Sequence, residues 1–106
     1  MMIPKFSYFR SKEHLKNVAS LECQHCGADG HTQAAHSNWA FHGKGRGIKA
    51  SDEFTAALCQ FCHYELDQGK TLSRIERQNL WFNAWHRTVE KLQQQNKWPE
   101  GVKYEP

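Results

Sequence analysis

A chain of 106 residues, 39% hydrophobic and 12% aromatic, has the length of one domain and too much apolar content for a disordered segment. Its formal charge of +3 is a mild basic bias, which admits a polyanionic partner without demanding one. No apolar run nears the ~20 residues of a membrane span and the start, Met-Met-Ile-Pro-Lys, lacks a signal-peptide core, so a cytoplasmic protein with reduced thiols is expected.

Residues 1–10 read as an irregular lead whose Phe6, Tyr8 and Phe9 strap over the core. Ser11 offers a hydroxyl cap to a short helix carrying Leu15, Val18 and Ala19 inward, with His14 left at the surface. Cys23-Gln-His-Cys26-Gly27 follows, a knuckle in which backbone amides point at sulfur and both thiolates face one ion. After a turn at Ala28-Asp29-Gly30, His31 to His36 reads as a strand. Strand parity sets His36 and His31 on opposite faces, so one of them at most enters a given site; His36, at the mouth of the next loop, is favoured.

That loop contains Gly43-Lys44-Gly45-Arg46-Gly47-Ile48-Lys49, and no carboxylate occurs from Gly30 to Ser51. Flexible backbone with forward-reaching cations suits a phosphodiester chain, so Lys44, Arg46 and Lys49 are candidate DNA contacts; a solvated loop without a ligand is the plainer alternative. Trp39 and Phe41 are read as core plugs ahead of base-stacking platforms. Phe54, Ala56 and Leu58 alternate as a second strand into Cys59-Gln-Phe-Cys62, which opens a short helix ending at Gly69. Ser73 and Glu76 form a capping box for a long helix from about residue 74 to 97. Ile75, Phe82 and Val89, with Trp81, Trp85 and Leu92, give it an apolar stripe for the core or for a partner, while His86 lies outside it. Residues 98–106 read as coil.

Two constellations carry chemistry. Cys23, Cys26, Cys59 and Cys62, as two Cys-x2-Cys pairs in a reducing compartment, match a structural zinc site with four sulfur ligands and no open position. His63 and Asp67, four apart on a helix that begins at a zinc ligand, project from one face and can grip a second, hard divalent ion, Mg²⁺ or Mn²⁺. An imidazole such as His36 can take a proton from water.

The order strand, His36, loop, Cys59-x2-Cys62-His63-x3-Asp67 resembles the HNH (ββα-metal) endonucleases, and most nearly the small zinc-stapled phage and prophage nucleases of YbcO-like type. The matching pieces include Gln33-Ala34-Ala35-His36-Ser37-Asn38 and Ala57-Leu58-Cys59-x2-Cys62-His63-x-Glu65-Leu66-Asp67-x-Gly69, within coverage of about residues 12–86. The resemblance implies that His36 is the general base, that His63 and Asp67 bind the catalytic ion, and that the intervening loop engages DNA. It also implies a bacterial or phage setting in recombination or DNA processing. The chain departs from the pattern twice. Ala35 stands where many members carry another metal ligand, and Phe54 stands where the central Asn is expected, which leaves Asp52 or Asn38 as orienting groups.

The expectation is therefore a single small α+β domain, a zinc-stabilised ββα-metal core with flanking helices, acting as a metal-dependent endonuclease on double-stranded or branched DNA. A non-catalytic zinc module that binds nucleic acid is the main alternative. An adaptor docking through the long helix is the third, and a homodimer is left open.

Overall fold

The computed structural model describes residues 8–104, so Phe6 and the last two residues of the tail lie outside the described region. The fold is a small α+β arrangement in the order α1 (Lys12–Ala19), β1 (Thr32–His36), β2 (Thr55–Cys59), α2 (Gln60–Asp67) and α3 (Arg74–Gln94). β1 and β2 form an antiparallel hairpin in which Thr32 pairs with Cys59 and His36 with Thr55. The register fixes the geography. The cysteines gather at one end of the hairpin and His36 stands at the other.

Every residue of β2 is buried, because both of its faces are covered. Ala56 and Leu58 pack into a core with Trp81, Ala84, Trp85 and Val89 of α3, while Ala57 packs on the other face with Val18, Leu21 and Leu92. Three hydrogen bonds tie α3 to the hairpin region. Trp81 Nε1 donates to the Ala35 carbonyl at 3.0 Å, Trp85 Nε1 to the Glu53 carbonyl at 2.8 Å, and the Ala57 amide to Thr88 Oγ1 at 2.9 Å. Buried indoles find acceptors, as their N–H groups require. The capping box of α3 forms as its sequence predicts, with Ser73 and Glu76 each satisfying the other's amide.

Several side chains sit elsewhere than their patterns predict. Ile75 is 69% exposed and Phe82 only half-buried. A seven-residue repeat drifts by about 20° per heptad on a straight helix, which carries the Ile75–Phe82–Val89 row to the edge of the stripe centred on Trp81, Trp85 and Leu92. Trp81, Trp85 and Leu92 are fully buried, so this face of α3 belongs to the core and is not a docking surface. Ala19 is exposed rather than interior. His14 is buried, at 2% exposure, between Phe9 and Trp98, because the lead and the tail both fold over α1. The lead is a strap in its described part, with the Phe9 amide on Ser51 Oγ at 2.7 Å and the Asp52 amide on the Phe9 carbonyl at 2.9 Å. Gly69 follows α2 without a left-handed backbone. Its glycine is required by close approach, since a Cβ there would stand 2.6 Å from the Glu65 carbonyl oxygen.

Candidate metal centres and the cleft between them

The first knuckle is shaped by Gly27, whose φ of 82° lets the chain reverse after Cys26. The Gln24 amide donates to the Ala57 carbonyl at 2.9 Å and Arg87 Nη1 to the Gln24 carbonyl, which pins the knuckle against β2 and α3. β2 then delivers Cys59, and the first turn of α2 delivers Cys62. The four Sγ atoms lie within 4.8 Å of one another, with Cys26 and Cys59 at 3.6 Å, and no disulfide links them. Sulfurs arranged tetrahedrally around zinc at ~2.3 Å stand roughly 3.8 Å apart, so the cluster fits a structural zinc ion. Within the cluster Cys23 and Cys62 are pulled in opposite directions. Burial opposes ionisation at Cys23, yet amides of Cys26, Cys59 and His25 outweigh it and bring the thiol down to about 6. Cys62 is pushed far up by burial and by sharing with the other three sulfurs. A divalent ion at the centre relieves that conflict.

Past Cys62, α2 turns its next face toward the opposite end of the hairpin. His36, His63 and Asp67 line one cleft of about 230 Å³ with Ala34, Ser37, Asn38, Lys44 and Lys49. Three of the residues singled out for chemistry and two of the three loop cations thus share one recess. Arg46 is exposed on the loop and does not line it. His31 is exposed at the cysteine end of the hairpin, and it is His36 that lines the cleft.

Each of the three side chains is held by a partner. His36 Nε2 lies 2.9 Å from Asp52 Oδ1, and Asp52 is fixed by the Ser11 amide at 2.8 Å and by Arg10 at 3.1 Å. Burial opposes ionisation of Asp52, but the bonds from His36, Ser11 and Arg10 prevail and hold its carboxyl below the usual range. Burial lowers the pKa of His36 against the pull of Asp52, so the ring is neutral near pH 7. Asn38 Nδ2 donates to Asp67 Oδ1 at 2.9 Å. His63 Nδ1 meets Gln33 Oε1 at 2.7 Å, and its Nε2 faces Asp67 Oδ2 at 3.1 Å.

The last pair is informative. In the tautomer that gives Nδ1–H to Gln33, His63 presents a lone pair at Nε2 toward a carboxylate oxygen. Two acceptors facing each other at that distance need a proton or a cation between them. An imidazole nitrogen and a carboxylate oxygen are both ligand types that divalent ions accept.

Asp52 thus contacts His36, and Asn38 contacts Asp67. Phe54 takes no part, being buried and stacked on His42 at 4.0 Å. Ala35 faces the core at 0% exposure, so its position offers nothing to the cleft. The loop is less free than its glycines imply. Buried His42 anchors it through Ser37 Oγ at 2.6 Å and by accepting the Ser51 amide, and Gly45 and Ile48 close a tight turn at its tip. Trp39 packs on the core as expected, whereas Phe41 is 57% exposed. The reading of the sequence missed Gln33, as well as Arg74 and Arg77, which line a depression with Trp39 that adjoins the cleft through Asn38 and Asp67. Among the described residues no helix is long and apolar enough to cross a membrane.

The chain belongs to the family described as a protein of unknown function, DUF968, whose family model matches residues 1–91. No curated protein and no solved structure matches it.

Proposed function

We propose that this member of the DUF968 family is a metal-dependent endonuclease of the HNH type acting on DNA. One observation carries the reading: His36 shares a cationic cleft with a His63–Asp67 pair whose Nε2 and Oδ2 atoms stand 3.1 Å apart. His36 donates Nε2–H to the Asp52 carboxylate, which leaves Nδ1 to take a proton from water. His63 and Asp67 would hold a Mg²⁺ or Mn²⁺ ion, which when bound supplies charge stabilisation for the leaving 3′ oxygen. Asn38 and Gln33 keep that pair in register. Lys44 and Lys49 meet the phosphates within the cleft, Arg46 reaches farther along the backbone, and Arg74 and Arg77 extend the cationic track beyond Asp67. Contacts of this kind read the backbone, which implies weak sequence preference and strong salt dependence.

The test is nicking of supercoiled plasmid with Mg²⁺ or Mn²⁺ by the zinc-loaded protein. Wild type is expected to nick, and His36→Ala to lose about 10²–10⁴ of the rate, the range for a general base. DNA binding without cleavage under every divalent ion would leave the second reading, a zinc-bound nucleic-acid-binding module. That reading is supported by the cysteine cluster and the loop cations, which need no second metal.

A further inference from the structure

On the far side of His63 and Asp67 from the cationic cleft lies a second, shallower depression of about 270 Å³, lined by Gln33, Gln60, His63, Tyr64, Asp67 and Gln68. It shares His63 and Asp67 with the cleft but differs in chemistry, since no lysine or arginine lines it. Tyr64 presents its ring at 61% exposure, and Gln60 and Gln68 stand one helical turn to either side. Away from the ion proposed on His63 and Asp67, a phosphate placed here would meet neutral amides and a phenol with no lysine or arginine to hold it. A nucleobase would find a flat ring for its face and carboxamides for its edge, the pairing by which proteins bind unstacked bases.

We infer that this depression receives a nucleobase next to the scissile phosphate, and therefore that the substrate carries an unpaired nucleotide there, as at a fork, flap or branch. The inference rests on the endonuclease reading for the position of the scissile bond. A base inside a duplex has both faces covered by its neighbours and cannot lie on Tyr64 without leaving the stack. Continuity with the cleft through His63 and Asp67 places any occupant immediately beside the reacting phosphate.

Binding and cleavage separate the two ideas. Fluorescence anisotropy without divalent ion should show a forked oligonucleotide bound about tenfold more tightly than a fully paired duplex of the same sequence, the size of one base–aromatic stack. Tyr64→Ala should bring the fork-to-duplex ratio close to one, while Tyr64→Phe, which keeps the ring, should preserve it. Melting temperature and zinc content would confirm that both variants fold. With Mn²⁺, cuts should fall beside the first unpaired nucleotide. Equal affinity for fork and duplex would overturn the inference, as would a Tyr64→Ala variant that loses both equally. Loss of self-association in Tyr64→Ala with DNA binding untouched would also overturn it, revealing a protein interface instead. If nothing is cut but the Tyr64-dependent fork preference persists, the nuclease reading fails and the base-binding site stands.

Discussion

Cys62 and His63 are adjacent in the chain yet serve opposite ends of the hairpin. Cys62 joins three other sulfurs in a closed cluster, knit to β2 by a backbone hydrogen bond and to α3 by the Arg87 side chain. His63 faces a cleft where its Nε2 meets an Asp67 oxygen and cations line the rim. The first end consumes its polar groups internally; the second leaves them for something that arrives. A sulfur clamp one residue away fixes the backbone that carries His63, so on the proposed reading stability at one end is a condition for chemistry at the other.

Breaking the clamp should have the largest effect. A four-cysteine zinc site contributes on the order of 10 kcal/mol of apparent binding energy, comparable to the entire stability of a small domain. Cys59→Ala, which also removes a core residue from the end of β2, is expected to leave the chain largely unfolded, and so is removal of metal by a strong chelator. Far-ultraviolet circular dichroism against zinc content checks this. A chain that keeps its cooperative melt without zinc would dissolve the distinction drawn between the two ends.

The buried histidines predict the next effect, and it belongs to the scaffold rather than the cleft. Desolvation brings His42 down to about 4, and burial lowers His14 and His36 as well. A histidine with a depressed folded pKa lends stability that is fully present above about pH 6.5 and is lost as pH falls through its folded value. For His42 alone this amounts to about 3 kcal/mol. Denaturant midpoints should therefore fall steadily between about pH 6.5 and 4, and His42→Gln should flatten that slope. An unchanged slope in the variant would mean that His42 charges freely in the folded state.

How far the sequence discloses these two ends differs for a physical reason. The sulfur cluster is written in local spacing, since each knuckle is a short turn, and pairing the two needs only a hairpin between them. The capping box at Ser73 and the α2 pair His63–Asp67 are local in the same sense. The supports of the cleft are not. Asp52 reaches His36, Asn38 reaches Asp67, and Gln33 reaches His63 only after the hairpin has closed, and no periodicity marks such contacts. His14 and Ile75 teach the same lesson about burial. One is covered by segments distant in sequence, and the other slips off its stripe through helical drift.

A smaller perturbation sharpens the contrast within the cleft. Asp52→Asn keeps an acceptor for the Ser11 amide but removes the charge that steadies His36. Losing an orienting carboxylate of this kind costs about 10–100-fold in activity, by analogy with groups behind metal-bound histidines. Because Asp52 raises the pKa of His36, its loss should also move the acid limb of the pH–rate profile to lower pH. A drop in rate with an unmoved acid limb would instead assign Asp52 to folding, through Arg10 and the strap.

The gentlest test compares two cations on one loop. Lys44 lines the cleft, whereas Arg46 is exposed near the loop tip and does not line it. If the cleft is where the backbone is gripped, Lys44→Ala should weaken DNA binding a few-fold regardless of sequence and reduce the slope of log affinity against log salt by about one. Arg46→Ala should change that slope less, since a charge held off the contact surface releases fewer counterions. Equal slopes for the two variants would mean that the loop acts as a diffuse basic patch. The cleft would then have to recognise its substrate through the His63–Asp67 side alone.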